Sequence, residues 1–87
     1  MRTQIGGDQI TNGINVLMGK LNYRLNQKGA GTFSSSHEIL GIITEEYNEL
    51  INAVHENNLD DVKKELLDIA VGSLFGYMCV EAKTVEW

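Results

Sequence analysis

The 87-residue chain can form one small domain, and 43% hydrophobic residues, no proline and 7% aromatics favour an all-helical fold over a β-sandwich or barrel. A formal net charge of −5 argues against a nucleic-acid-binding protein, which would need a basic surface. Cys79 is the single cysteine, and neither an export signal nor a membrane-length apolar run is found, so we expect a cytoplasmic protein with no membrane partner.

The first predicted helix spans about residues 9–28. It follows a polar lead over residues 1–8, in which Asp8 is a candidate N-cap. Gly29 is well placed to end the helix. Apolar residues at helical spacing form a narrow stripe along it: Ile10, Ile14, Leu17, Leu21 and Leu25.

Three basic residues spaced four apart form a row beside this stripe: Lys20, Arg24 and Lys28. Such a row is typical of a solvated helix edge, where the positive charges also interact favourably with the negative C-terminal end of the helix. The alternative is that Lys20 or Arg24 contacts a phosphate group or balances carboxylates. The spacing alone leaves both interpretations open.

A glycine- and serine-rich loop follows over residues 29–36. It lacks the G-x-x-x-x-G-K pattern of a phosphate-binding loop, so we do not expect it to cradle phosphates. Phe33 is its one large apolar residue and is a candidate anchor to the core.

The second predicted helix begins at about residue 36 and ends at about residue 56. Ser35 and Glu38 have the spacing of a capping box, which marks its start. His37 in the first turn is most simply an exposed or capping residue; the alternative places it near a ligand phosphate. His55 lies on the polar side and is interpreted as an ordinary surface histidine.

The third predicted helix spans about residues 59–80, with Asn58 and Asp61 as a cap. The short connection over residues 57–59 makes the second and third helices antiparallel neighbours. The third helix is apolar on nearly all sides after Lys64, and two helices of the same chain cannot cover it completely. We therefore expect a homodimer or homotetramer that completes a four-helix-type bundle.

Two features near the end of the chain are open to alternative interpretations. Gly72 and Gly76 either let a neighbouring helix come close or leave room for a bound base or sugar. The tail over residues 81–87 is too short for a long fourth helix. Trp87 either docks on a partner subunit or is unstructured.

Four acidic residues occupy the apolar sides of the second and third helices. Glu46 and Glu49 lie one turn apart, as do Glu65 and Asp68. Residues equidistant from the turn of a hairpin meet, so we expect the four carboxylates at one level. Burying unpaired carboxylates is costly, so the cluster needs protons, basic partners or a cation. Oxygen ligands without His or Cys favour Mg²⁺, with Mn²⁺ as a possible substitute.

This arrangement, E-x-x-E, fifteen residues, then E-x-x-D, resembles the MazG-like all-α nucleoside triphosphate pyrophosphohydrolases over about residues 37–78. The resemblance implies Mg²⁺-dependent conversion of a nucleoside or deoxynucleoside triphosphate to its monophosphate and pyrophosphate, as in nucleotide-pool house-cleaning. It implies that the four acids hold the metal. Glu45, about 100° around the helix from Glu46, is a candidate to orient or deprotonate the attacking water. The candidate catalytic residues are Glu45, Glu46 and Glu49, and the candidate substrate contacts are Lys20, Arg24, Lys28 and His37.

Two other classes of protein are alternatives to this interpretation. A di-iron carboxylate bundle would need Glu-x-x-His pairs, whereas Ser34 and Asn52 precede His37 and His55 at that spacing. The stronger alternative is a non-catalytic acidic adaptor whose acids only solvate a seam. An adaptor predicts that the acids tolerate replacement by amides, whereas a metal site predicts lost activity and lost stabilisation by Mg²⁺.

Overall fold

The computed structural model describes residues 2–87 and contains three α-helices: α1 (Gly7–Lys28), α2 (Ser36–His55) and α3 (Leu59–Glu81). Met1, the first residue of the predicted lead, lies outside the described residues. Residues 2–87 contain no β-strand. The predicted all-α class, with an N-terminal helix followed by a helical hairpin, is confirmed.

Helix α1 begins two residues earlier than predicted because Gly6, and not Asp8, is its N-cap. The Gly6 N–H donates to Gln9 Oε1 at 2.8 Å, which satisfies a backbone group at the helix start. Asp8 lies inside the first turn, where its negative charge interacts favourably with the positive end of the helix. Gly29 ends α1 as predicted: its φ of 76° suits glycine, and its N–H donates to the Leu25 carbonyl at 2.8 Å.

Side-chain caps fix the starts of the other two helices as the sequence predicts. The Ser35 hydroxyl accepts a hydrogen bond from the Glu38 N–H at 3.1 Å. At α3, Asn58 Oδ1 accepts from the Asp61 N–H at 3.1 Å, and Asn58 Nδ2 donates to Asp61 Oδ2 at 2.9 Å. Asn57 adopts a positive φ of 56°, which allows the chain to reverse within the short link. The two helices consequently run antiparallel.

Helix α3 packs along α2 and, over a shorter contact, against α1. The approach of α2 is close at two glycines. A Cβ on Gly76 would lie 3.0 Å from Ile39 Cγ2, and one on Gly72 would lie 3.3 Å from Ile43 Cδ1. These glycines therefore serve the packing of α2 on α3, the first of the two interpretations given for them.

The core at one end of the hairpin is built around Phe33, Phe75 and Cys79. The two rings pack edge to face, with centroids 5.3 Å apart and an interplanar angle of 86°. Phe33 is buried and anchors the loop between α1 and α2, as predicted. Partly buried apolar residues surround this cluster: Leu25, Ile39, Ile42 and Val85.

The tail after α3 packs against its own chain, which neither alternative for Trp87 anticipated. The Glu86 N–H donates to the Ser34 carbonyl at 2.9 Å. The Trp87 carbonyl accepts from the Ser36 N–H at 2.9 Å and from the Ser36 hydroxyl at 2.6 Å. The Trp87 ring lies 4.8 Å from the His37 ring, centroid to centroid. The tail thus holds the loop that carries Phe33.

Large apolar side chains remain exposed along two stripes of the hairpin. The stripe on α2 consists of Leu40, Tyr47 and Val54, and the stripe on α3 consists of Leu66, Tyr77 and Val80. The Cα radius of gyration, 14.7 Å, also exceeds the ~12 Å expected for a compact chain of this length.

None of the three helices within residues 2–87 is long and apolar enough to cross a membrane.

Candidate metal centre and adjoining cleft

Helices α2 and α3 bring three carboxylates together. Glu46, Glu49 and Glu65 each offer an oxygen, and these oxygens all lie within 4.8 Å of one another. The convergence follows from the hairpin, because Glu49 and Glu65 are nearly equidistant from its turn, with Glu46 one turn further back on α2. Burial increases from Glu49, which is exposed, through Glu46 to Glu65, which is only 6% exposed.

Two oxygens of this cluster are buried without a hydrogen-bond partner: Oε2 of Glu46 and Oε2 of Glu65. Removing a carboxylate oxygen from water without replacing its hydrogen bonds is unfavourable. These two atoms belong to carboxylates that converge with that of Glu49, so a shared proton or a cation would satisfy them. The donor set consists of hard oxygens alone, which suits Mg²⁺ or Mn²⁺.

The three carboxyl groups perturb one another electrostatically. Burial, reinforced by repulsion from Asp68, Glu49 and Glu65, raises the pKa of Glu46 to about 7. The pKa of Glu49 is also raised, through its hydrogen bond with Glu65 and the negative charge of that group. Burial acts to raise the pKa of Glu65, but hydrogen bonds from Glu49 and Lys64 outweigh it and lower that pKa. Without a cation, the cluster therefore retains protons toward neutral pH.

Asp68, the fourth predicted ligand, is paired with lysines. Lys20 Nζ lies 3.1 Å from Asp68 Oδ1, and Lys64 Nζ lies 3.9 Å from Asp68 Oδ2. Lys64 also contacts Glu65 Oε1 at 3.3 Å, and both acids raise the pKa of Lys64. Asp68 is thus outside the group of three carboxylates, on the side facing α1. Lys64 is not among the predicted site residues, although its position four residues before Asp68 is a signal for such a pair.

A cleft of about 230 Å³ adjoins the carboxylates, between α1 and the hairpin. Its α1 wall carries the whole predicted basic row, and its opposite wall carries Glu46 and Asp68. Tyr23 and Gln27 of α1 also line it and are not among the predicted site residues, although each directly precedes a member of the basic row. The complete lining is Lys20, Tyr23, Arg24, Gln27, Lys28, Ile42, Glu46, Asp68, Val71 and Gly72.

Two predicted site residues belong neither to the group of three carboxylates nor to the lining of this cleft. His37 lies in the first turn of α2 against the Trp87 ring. It lies nine positions before Glu46, a rise of about 13 Å along the helix. Glu45 is exposed on α2, next to the cluster but outside the group of converging oxygens.

Comparison with known proteins agrees with this geometry. A family model of the MazG nucleotide pyrophosphohydrolase domain matches residues 34–83, which is more than half of the chain. The matched segment contains the whole of α2, the link and α3, and with them the three clustered acids and Asp68. Neither a curated protein sequence nor a solved structure matches the chain.

Proposed function

Because the chain belongs to the MazG nucleotide pyrophosphohydrolase family, we propose that it hydrolyses a nucleoside or deoxynucleoside triphosphate to the monophosphate and pyrophosphate, in nucleotide-pool house-cleaning. The observation that carries this proposal is the set of three carboxylate oxygens within 4.8 Å of one another, beside a cleft with a basic wall. A cation on the carboxylates and a polyphosphate along the basic wall would match both halves of the site.

The proposed cofactor is Mg²⁺, with Mn²⁺ as a substitute, held by Glu46, Glu49 and Glu65. The unpartnered oxygens of Glu46 and Glu65 support this assignment, since each needs a positive partner. Asp68 is the proposed fourth ligand and would exchange its contact with Lys20 for the cation. When bound, the metal supplies charge neutralisation on phosphate oxygens and a more acidic water.

The protein groups around this centre have distinct proposed roles. Lys20, Arg24 and Lys28 bind the negatively charged phosphates along α1, and Lys20 would be free for this contact if Asp68 held the metal instead. Glu45, beside Glu46 on the exposed side of α2, orients or deprotonates the attacking water. A role for His37 in phosphate binding stays a prediction.

The function is tested by incubating the protein with Mg²⁺ and a panel of canonical and modified nucleoside and deoxynucleoside triphosphates. We expect pyrophosphate and monophosphate in equal amounts from at least one substrate. Glu49→Gln should abolish turnover with the fold intact, whereas Glu56→Gln, an exposed acid at the end of α2, should leave it unchanged. No pyrophosphate from any substrate would favour the acidic adaptor.

We further propose that the protein is a homodimer or homotetramer in which a second copy covers the exposed stripes of α2 and α3. Each stripe is rotated in the same sense from the buried side of its helix, at about 100° per residue. In an antiparallel pair, this places both stripes on one face of the hairpin. A face carrying Leu66, Tyr77 and Tyr47 at more than half exposure is more apolar than an isolated chain normally leaves to water.

The assembly is tested by measuring mass in solution. We expect two or four times the 9.7 kDa of the chain. Leu66→Glu should shift the mass toward the monomer, because it places a charge in the apolar stripe. Asn52→Glu, an exposed position of α2 outside the stripe, should not. A monomeric wild-type protein would contradict the proposal.

A further inference from the structure

Arg24 is held against two aromatic rings at the wall of the cleft. Its guanidinium carbon lies 4.7 Å from the centroid of the Phe75 ring and 5.6 Å from that of Phe33. Both distances are within the range of a favourable cation–π contact. The edge-to-face packing of the two rings fixes them relative to each other. The two rings therefore hold the guanidinium at the cleft wall before any ligand arrives.

Arg24 also has no anionic partner among residues 2–87. Lys20 and Lys64 pair with the acids of the cluster, whereas no described carboxylate lies within ion-pair distance of Arg24. Arg24 is nevertheless half-buried and lines the cleft. A half-buried guanidinium that contacts rings and has no carboxylate partner keeps N–H groups for an incoming anion, and its planar fork suits two oxygens of one phosphate.

The tail after α3 holds the loop that carries the Phe33 ring. Its neighbours Ser34 and Ser36 hydrogen-bond to the tail, and Val85 of the tail packs on the same apolar cluster. Phe33 itself is 6% exposed and does not line the cleft. It can therefore affect a ligand in the cleft only through a lining residue that it contacts, and Arg24 is the charged one.

We propose that Phe33 is a positioning residue that, together with Phe75, fixes the Arg24 guanidinium to bind one phosphate of a polyphosphate chain in the cleft. Arg24 lies one turn beyond Lys20, about 6 Å further along α1 from the carboxylates. It therefore holds a phosphate different from the one nearest the acids. The inference rests on the proposed function for the nature of the substrate, a nucleoside triphosphate.

The test uses inorganic tripolyphosphate with Mg²⁺ as the probe, with affinity measured by titration calorimetry. Arg24→Ala should weaken binding by about 10-fold or more. Phe33→Leu, which keeps apolar volume but removes the ring, should weaken it about 3-fold, the size of one cation–π contact. In the Arg24→Ala background, the same Phe33→Leu change should alter the affinity by less than about 1.5-fold, because the group that it positions is gone.

A structural role alone would give a different result. If Phe33→Leu weakened binding equally in both backgrounds, or left it unchanged, the inference would be overturned, as it would be if the wild type bound no tripolyphosphate. Circular dichroism checks the fold, and Phe33→Met serves as a second ring-free variant with the same expected loss. Absence of pyrophosphate release from nucleotides would remove the proposed function but would leave the measured coupling between Phe33 and Arg24 intact.

Discussion

Ionisation of Glu46 should make the metal-free protein less stable as the pH rises. The pKa of this group is about 7 in the folded chain, against 4.5 when unfolded, so the folded state binds the proton more tightly. The resulting stability is fully present below pH ~4.5 and is lost as the pH rises through ~7. The difference corresponds to about 3 kcal/mol, which partial exposure and solvent screening reduce to ~1–2 kcal/mol, or a fall of roughly 5–10 °C in Tm.

Thermal unfolding followed by circular dichroism between pH 5 and 8, in chelator and at constant protein concentration, checks this directly. Glu46→Gln should flatten the profile and raise Tm at pH 8, since the amide carries no charge to bury. Glu56→Gln, far from the cluster, should keep the wild-type slope. Added Mg²⁺ should restore stability at pH 8 and have little effect at pH 5, where protons occupy the carboxylates. Metal-free stability that is constant or rises between pH 5 and 7 would refute the reasoning.

Further predictions concern packing and the lysine contacts. Gly76→Ala should lower the free energy of unfolding in urea by ~1–2 kcal/mol because its Cβ would meet Ile39 at 3.0 Å, whereas Gly41→Ala, with nothing within 4 Å, should raise it by up to ~1 kcal/mol. Effects of the same sign would contradict this packing. Lys20→Met should tighten binding of Mg²⁺ alone by about 3-fold in calorimetry, since it frees Asp68 from a competing cation. Equal tightening in Lys63→Met would mean that net charge is the cause.

The hairpin and its acids could be predicted because the signals are local. Ser35 and Asn58 define where α2 and α3 begin, and the short link makes the helices antiparallel. Counting outward from that link was then enough to bring Glu49 and Glu65 together. The start of α1 was less predictable. Residue preferences favour Asp8 as the N-cap, whereas the actual N-cap is Gly6, whose backbone N–H donates to the Gln9 side chain.

Features that depend on how α1 and the tail dock could not be predicted. One of the two interpretations of the basic row was that Lys20 or Arg24 balances a carboxylate, but the specific pairing of Lys20 with Asp68 requires α1 to lie beside α3 in one particular register. The position of Arg24 over Phe75 depends on the same register, and no pattern in the sequence specifies it. The tail packs through backbone carbonyls, such as that of Ser34, which carry no sequence signal.

The central claim is that Glu46, Glu49 and Glu65 together bind a divalent cation, and anomalous diffraction from crystals grown with Mn²⁺ tests it most directly. The account predicts one or more anomalous peaks between α2 and α3, in contact with oxygens of all three residues, and loss of those peaks in Glu65→Gln. The claim would be contradicted if crystals grown in excess Mn²⁺ showed the three carboxylates turned to solvent and no Mn²⁺ between them.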